Sequence, residues 1–171
     1  GWVRGRFASN TEELQRLRSR IDELTASLEA ARTEPPTEAK NLAHGSERFR
    51  VRFSADTGER ELVVELTWDQ LVACLCPMMF DEASERDLEN QLRDKIALDI
   101  GWSAGAWMLH VRDEDSQTVK VQLRALGLIQ MSVKKRSLKD TGSYWTLTPY
   151  GDHYATVLKA IPTDAAVAPS G

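Results

Sequence analysis

Two stretches decide the fold: Val119-Lys120-Val121-Gln122-Leu123-Arg124-Ala125-Leu126-Gly127-Leu128-Ile129 and Trp145-Thr146-Leu147-Thr148-Pro149-Tyr150-Gly151. In the first, Val119, Leu123 and Leu126 recur at helical spacing. Asp115 or Ser116 is placed to cap that helix, and Gly127 to end it. Ile129, Met131 and Val133 then alternate with Gln130, Ser132 and Lys134, the two-residue period of a strand. Lys134-Lys135-Arg136 and Lys139-Asp140-Thr141-Gly142 form a basic, glycine-ended loop, and Tyr144 to Thr148 return as a second strand. Thr148 caps a last helix with Pro149 at its first position, where a fixed φ is suited and the missing N–H costs nothing. Tyr150, Tyr154, Val157, Leu158 and Ile161 give that helix an apolar stripe.

Earlier elements follow from the same reasoning. Ser84 and Asp87 open a helix whose apolar face is Leu88, Leu92, Ile96 and Ile100, and Gly101 closes it. Thr67-Trp68-Asp69-Gln70 is a capping box for a short helix that Pro77 ends. Ahead of it, Phe49, Val51 and Phe53 alternate with Arg50 and Arg52, and Leu62, Val64 and Leu66 with Glu61 and Glu65. Ala55-Asp56-Thr57-Gly58 turns between them, predicting a hairpin. Arginine on one strand and glutamate on the other suit cross-strand pairing; a phosphate contact by Arg50 and Arg52 is the alternative. Trp102, Trp107, Met108 and Leu109 read as a core cluster.

Residues 10–32 read as a helix with a heptad seam. Leu14, Ile21 and Leu28 fall at a, and Leu17, Leu24 and Ala31 at d, with Ser9 or Asn10 as the cap. Glu13 at g faces Arg18 at e′ of a parallel partner. This predicts self-association through Leu14, Leu17, Ile21, Leu24 and Leu28; packing of the stripe on its own domain is the alternative. Thr33 to Gly45, with Pro35-Pro36, has linker composition. The expected organisation is a coiled-coil helix (1–33), a linker (34–46), an α+β domain (47–161) and a flexible tail (162–171).

The 171 residues carry a net charge of −4. The excess lies in residues 46–100, with seven bases against thirteen acids, whereas residues 101–171 hold eight bases against six acids. That balance excludes a uniformly basic nucleic-acid binder and permits a modest basic head. Cys74 and Cys76 read as small buried hydrophobes, and His44, His110 and His153 are too scattered to complete a zinc site. No metal and no cofactor are expected. The chain has no apolar run of about 20 residues, no signal peptide, no Walker loop, no His-Glu-x-x-His and no nucleophile elbow. A non-catalytic protein of the reducing cytoplasm is expected. The start at Gly1 is read as that of a piece of a longer protein.

The order of residues 112–161 resembles the winged helix-turn-helix superfamily. There a recognition helix ends at a Leu-Gly-Leu-Ile corner, a two-stranded wing follows, and a Leu-Thr-Pro-x-Gly step begins the closing helix. The opening Gly1-Trp2-Val3-Arg4-Gly5, the heptads and the linker resemble a region of modular bacterial proteins whose N-terminal domain is related to one found ahead of NACHT-type NTPases. The first resemblance implies that the outward stripe of the recognition helix, Gln117, Lys120, Val121 and Arg124 with Thr118 at its edge, reads duplex DNA. It implies that Lys134, Lys135, Arg136 and Lys139 of the wing contact phosphate. Asp113-Glu114-Asp115 departs from that pattern by placing acids where phosphate would approach. A poor helical pattern over residues 102–111 departs from it too. The expected function is a regulatory module that dimerises and binds duplex DNA. The alternative is an interaction and oligomerisation module of a larger bacterial signalling or defence protein, binding a protein partner.

Overall fold

The computed structural model describes residues 2–56, 58–102, 105 and 108–163. Thr57 of the hairpin turn, Trp107 and most of the expected tail lie outside them. The fold is α+β. A long helix α1 (Trp2–Thr33) precedes the hairpin β1 (Arg48–Ala55) and β2 (Gly58–Thr67). Then come α2 (Trp68–Leu75), β3 (Ala83–Ser84), α3 (Glu85–Asp99), β4 (Leu109–Val111), α4 (Asp113–Ala125), β5 (Ile129–Met131), β6 (Tyr144–Leu147) and α5 (Pro149–Lys159). Two antiparallel sheets form, in the orders β2-β1-β4 and β3-β6-β5.

Both predicted capping boxes are present: the side chains of Thr67 and Ser84 accept from the amides of Gln70 and Asp87. The helix ending at Gly127 closes as a Schellman motif. The Leu128 amide donates to Leu123, the Gly127 amide donates to Arg124, and Gly127 takes φ of 72°. Pro36 sits against Gly127, where an added Cβ would lie 2.4 Å from Pro36 Cγ.

Five readings change. α1 runs back to Trp2, so neither Ser9 nor Asn10 caps it. α4 begins at Asp113 with Arg112 as N-cap, because Asp115 and Ser116 are buried inside its first turns and engaged elsewhere. β5 stops at Met131, leaving Val133 97% exposed. The stripe of α5 narrows to the half-buried Tyr150, Tyr154 and Leu158, while Val157 and Ile161 are exposed. Ile100 likewise falls outside the core, since α3 ends one residue before it.

The core is continuous between the hairpin and the helices. Val51, Phe53 and Leu66 from the first sheet join Leu71, Val72 and Met79 around α2, Leu88, Leu92 and Ile96 of α3, and Val119 and Leu123 of α4. Phe49 stacks on Trp68 at a centroid distance of 5.3 Å. The linker is laid on this body: it carries a short 3₁₀ turn (Thr37–Asn41), buries Ala39, and Ala43 accepts a bond of 2.7 Å from the side chain of Gln122.

Thr148 joins the end of α4 to α5. Its hydroxyl accepts from the Gly151 amide and donates to the Gly127 carbonyl, and its amide donates to Leu128. A Cβ on Gly151 would sit 1.8 Å from the Leu128 carbonyl oxygen, so only glycine admits this close approach of helix and backbone. Gly151→Ala is therefore expected to destabilise the domain by about 1–3 kcal/mol, as backbone and helix are pushed apart. Urea denaturation of the two proteins measures it.

Candidate functional site

α4 was expected to carry the reading surface, and its faces sort by simple geometry. Ser116, Val119, Lys120 and Leu123 lie at i, i+3, i+4 and i+7 and are all buried. Gln117, Thr118, Val121 and Arg124 form the outer stripe and are exposed. Lys120 is thus corrected from an outward contact to an inward one. Its side chain is 6% exposed, and its Nζ lies 3.1 Å from Glu85 Oε1 at the start of α3, an ion pair outside good hydrogen-bond alignment. The hydroxyl of the adjacent Ser116 donates to Glu89 on the same helix.

The acids ahead of this helix have a structural task. Asp115 accepts from the Arg52 backbone amide at 2.7 Å and from the Arg52 guanidinium at 2.6 and 3.0 Å, while Glu114 takes another guanidinium bond at 3.1 Å. The Arg52 hydrogen bonds hold the Asp115 carboxyl below the usual carboxylate range and raise the Arg52 pKa. The rest of the hairpin face is also paired by charge: Arg50 and Arg48 with Glu65, and Arg112 with Glu61. These partners take up the arginines that the phosphate alternative needs.

The basic loop after β5 divides in two. Lys134 reaches Asp81 at 2.5 Å, and Arg136 reaches Glu82 at 2.5 Å while its guanidinium lies 3.3 Å over the Tyr144 ring. Asp81 and Glu82 raise the pKa of these two cations, and the Ser132 hydroxyl and Arg136 lower that of Glu82. Lys135 and Lys139 are exposed, and no described acid lies within ion-pair distance of either. Of the expected DNA contacts, Gln117, Thr118, Arg124, Lys135 and Lys139 remain on the surface without an acidic partner among the described residues; Lys120, Lys134 and Arg136 are held by acids. The Asp81-Glu82 pair was the missed signal, two consecutive acids just before β3, the strand that pairs with β6.

Apolar side chains are exposed in these segments too. Val121 on α4 and Met131, Val133 and Leu138 after it are each at least half exposed. On α1, Leu14, Leu17, Ile21, Leu24 and Leu28 are all more than half exposed, so these five side chains are not buried on the rest of the chain, although α1 also packs against α5. Among the described residues no group of three or more His, Cys, Asp or Glu could hold a metal ion, and no described helix is long and apolar enough to cross a membrane. Cys74 and Cys76 are buried free thiols, pushed by burial to about 11 and about 12.

Comparison of the chain with family models, curated proteins and solved structures finds no match to any of them.

Two outcomes follow. Asp115→Asn is expected to cost about 1–3 kcal/mol at pH 7, because the variant keeps the shape and loses the charge-assisted bonds. Because the native pKa is depressed, the contribution of Asp115 is full above about pH 4, the unfolded value, and fades as pH falls through the lower native one. The gap between wild type and variant in urea denaturation therefore narrows below about pH 4. Lys120→Met is expected to shift stability by less than about 1 kcal/mol, since the chain still fills the site and the partly exposed Glu85 regains water.

Proposed function

We propose that this chain is a non-catalytic module of a larger protein, self-associating through α1 and docking a protein partner with a head arranged as a winged helix. The exposed seam of α1 carries the reading: five large apolar side chains in heptad register stand in solvent on a continuous helix. A second copy satisfies them, and Glu13 and Arg18 favour a parallel pair.

For the head, the order α2, β3, α3, α4, β5, β6 and the sheet order β3-β6-β5 support the winged-helix plan. In it α3 precedes the recognition helix, the role sought in residues 102–111, where the chain instead adds β4 to the hairpin sheet. The partner surface combines Val121, Met131, Val133 and Leu138 with the unpaired Lys135 and Lys139, which suits an apolar, acidic protein segment. Duplex DNA is the second reading, supported by the exposed Gln117, Thr118 and Arg124 beside those lysines. It has about three available cations, so it calls for a log affinity that falls with log salt at a slope of about −3.

Sedimentation of the wild-type chain is expected to show concentration-dependent dimers, and Ile21→Lys to return a folded monomer. A wild type that stays monomeric at its highest soluble concentration overturns self-association. Duplex titration at low salt separates the two readings of the head. Binding with that slope, lost in Arg124→Ala and Lys135→Glu, establishes DNA; absence of binding by a clean dimer favours the protein partner.

A further inference from the structure

The linker does more than connect α1 to the head: it forms one wall of a cavity of about 280 Å³. Pro35 and Ala39 supply that wall, Trp68 and Val72 of α2 the floor, and Leu128 and Tyr150 the opposite side. The volume is at the small end of ligand cavities, of the order that takes one ring and a short tail. Among its lining residues Asp69 is a half-buried carboxylate. One carboxylate oxygen accepts the Tyr154 hydroxyl at 2.6 Å, and no described cation pairs with the other. Asp69 lies in the first turn of α2, where the helix dipole favours its charge. The rings of Tyr150 and Tyr154 stand beside it, 5.9 Å apart between centroids.

A half-buried carboxylate among aromatic faces is the chemistry that recognises an organic ammonium ion, through a charged hydrogen bond and cation–π attraction. Lys40 and His44 also line the cavity, and both are exposed. His44 is committed to the Leu42 carbonyl at 2.6 Å and lies 3.9 Å from Glu47. Asp69 is half-buried whereas Lys40 and His44 are exposed, so the carboxylate is the less screened of the three and sets the ligand's charge, which Lys40 opposes.

We propose that this cavity is a binding site for a small aromatic ammonium compound, its ring against Trp68 and Tyr150 and its ammonium on Asp69. Because Pro35, Ala39 and Lys40 belong to the linker, occupancy would fasten the linker to the head. This inference stands apart from the choice of DNA or protein as the head's partner.

The test is calorimetric titration of the full chain with phenethylamine, 2-phenylethanol and phenylacetate. Saturable binding is expected for phenethylamine, at least about tenfold tighter than for the neutral alcohol. Asp69→Asn keeps an acceptor for Tyr154 and is expected to erase that preference while leaving the alcohol's affinity unchanged. Lys40→Ala, on an exposed side chain that the fold does not need, is expected to tighten the amine, and it tests the site even if Asp69→Asn fails to fold. Equal binding of amine and alcohol, preference for phenylacetate, no saturable binding of phenethylamine, or weaker amine binding in Lys40→Ala each overturns the proposal.

Discussion

The clasp between Arg52 and Asp115 sets what the rest of the molecule can do. It takes a guanidinium from the hairpin and a carboxylate from the first turn of α4, and adds the Arg52 backbone amide, so that strand and helix are fixed in one geometry. A carboxylate at a helix N-terminus is already favoured by the helix dipole. Here it is also buried, and its cation comes from a residue 63 positions away. With that contact made, β4 pairs with β1, Phe53 lies in the core and Leu109 of β4 is buried.

The same charge economy shapes the surface. Acids that in a nucleic-acid reader would oppose phosphate are paired here with arginines and lysines of the chain itself. Asp81 and Glu82 do so for the loop after β5, and Glu85 does so for Lys120. The mildly basic composition of the C-terminal part therefore overstates its exposed positive charge. What stands exposed is a mixture of a few cations and several apolar side chains.

Local signals carried most of the fold. Capping boxes at Thr67 and Ser84, the Schellman end at Gly127 and the Thr148-Pro149 start were legible because each depends on residues within a few positions. The reading failed where distant partners decide. Asp115 looked like a cap because its Arg52 partner is far away in sequence. Lys120 looked like a surface residue because lysine on a helix usually is one, yet it shares a face with Val119 and Leu123. The strand at Leu109–Val111 has too few residues to show alternation, and it exists because β1 offers a pairing edge. The linker composition of residues 34–46 concealed how much of it packs down. Pro36 over Gly127 and the side chain of Gln122 on Ala43 are contacts that no local pattern encodes.

Cys74 near the end of α2 and Cys76 just after it are buried, and burial keeps both as protonated thiols at neutral pH. A protonated, enclosed sulfur reacts slowly with alkylating reagents, whereas the same sulfur in water reacts readily. Capture of these thiols therefore proceeds at the rate at which α2 lifts from the core, and the chain carries its own chemical clock for opening of the helix on which the hairpin, the linker and α5 all rest.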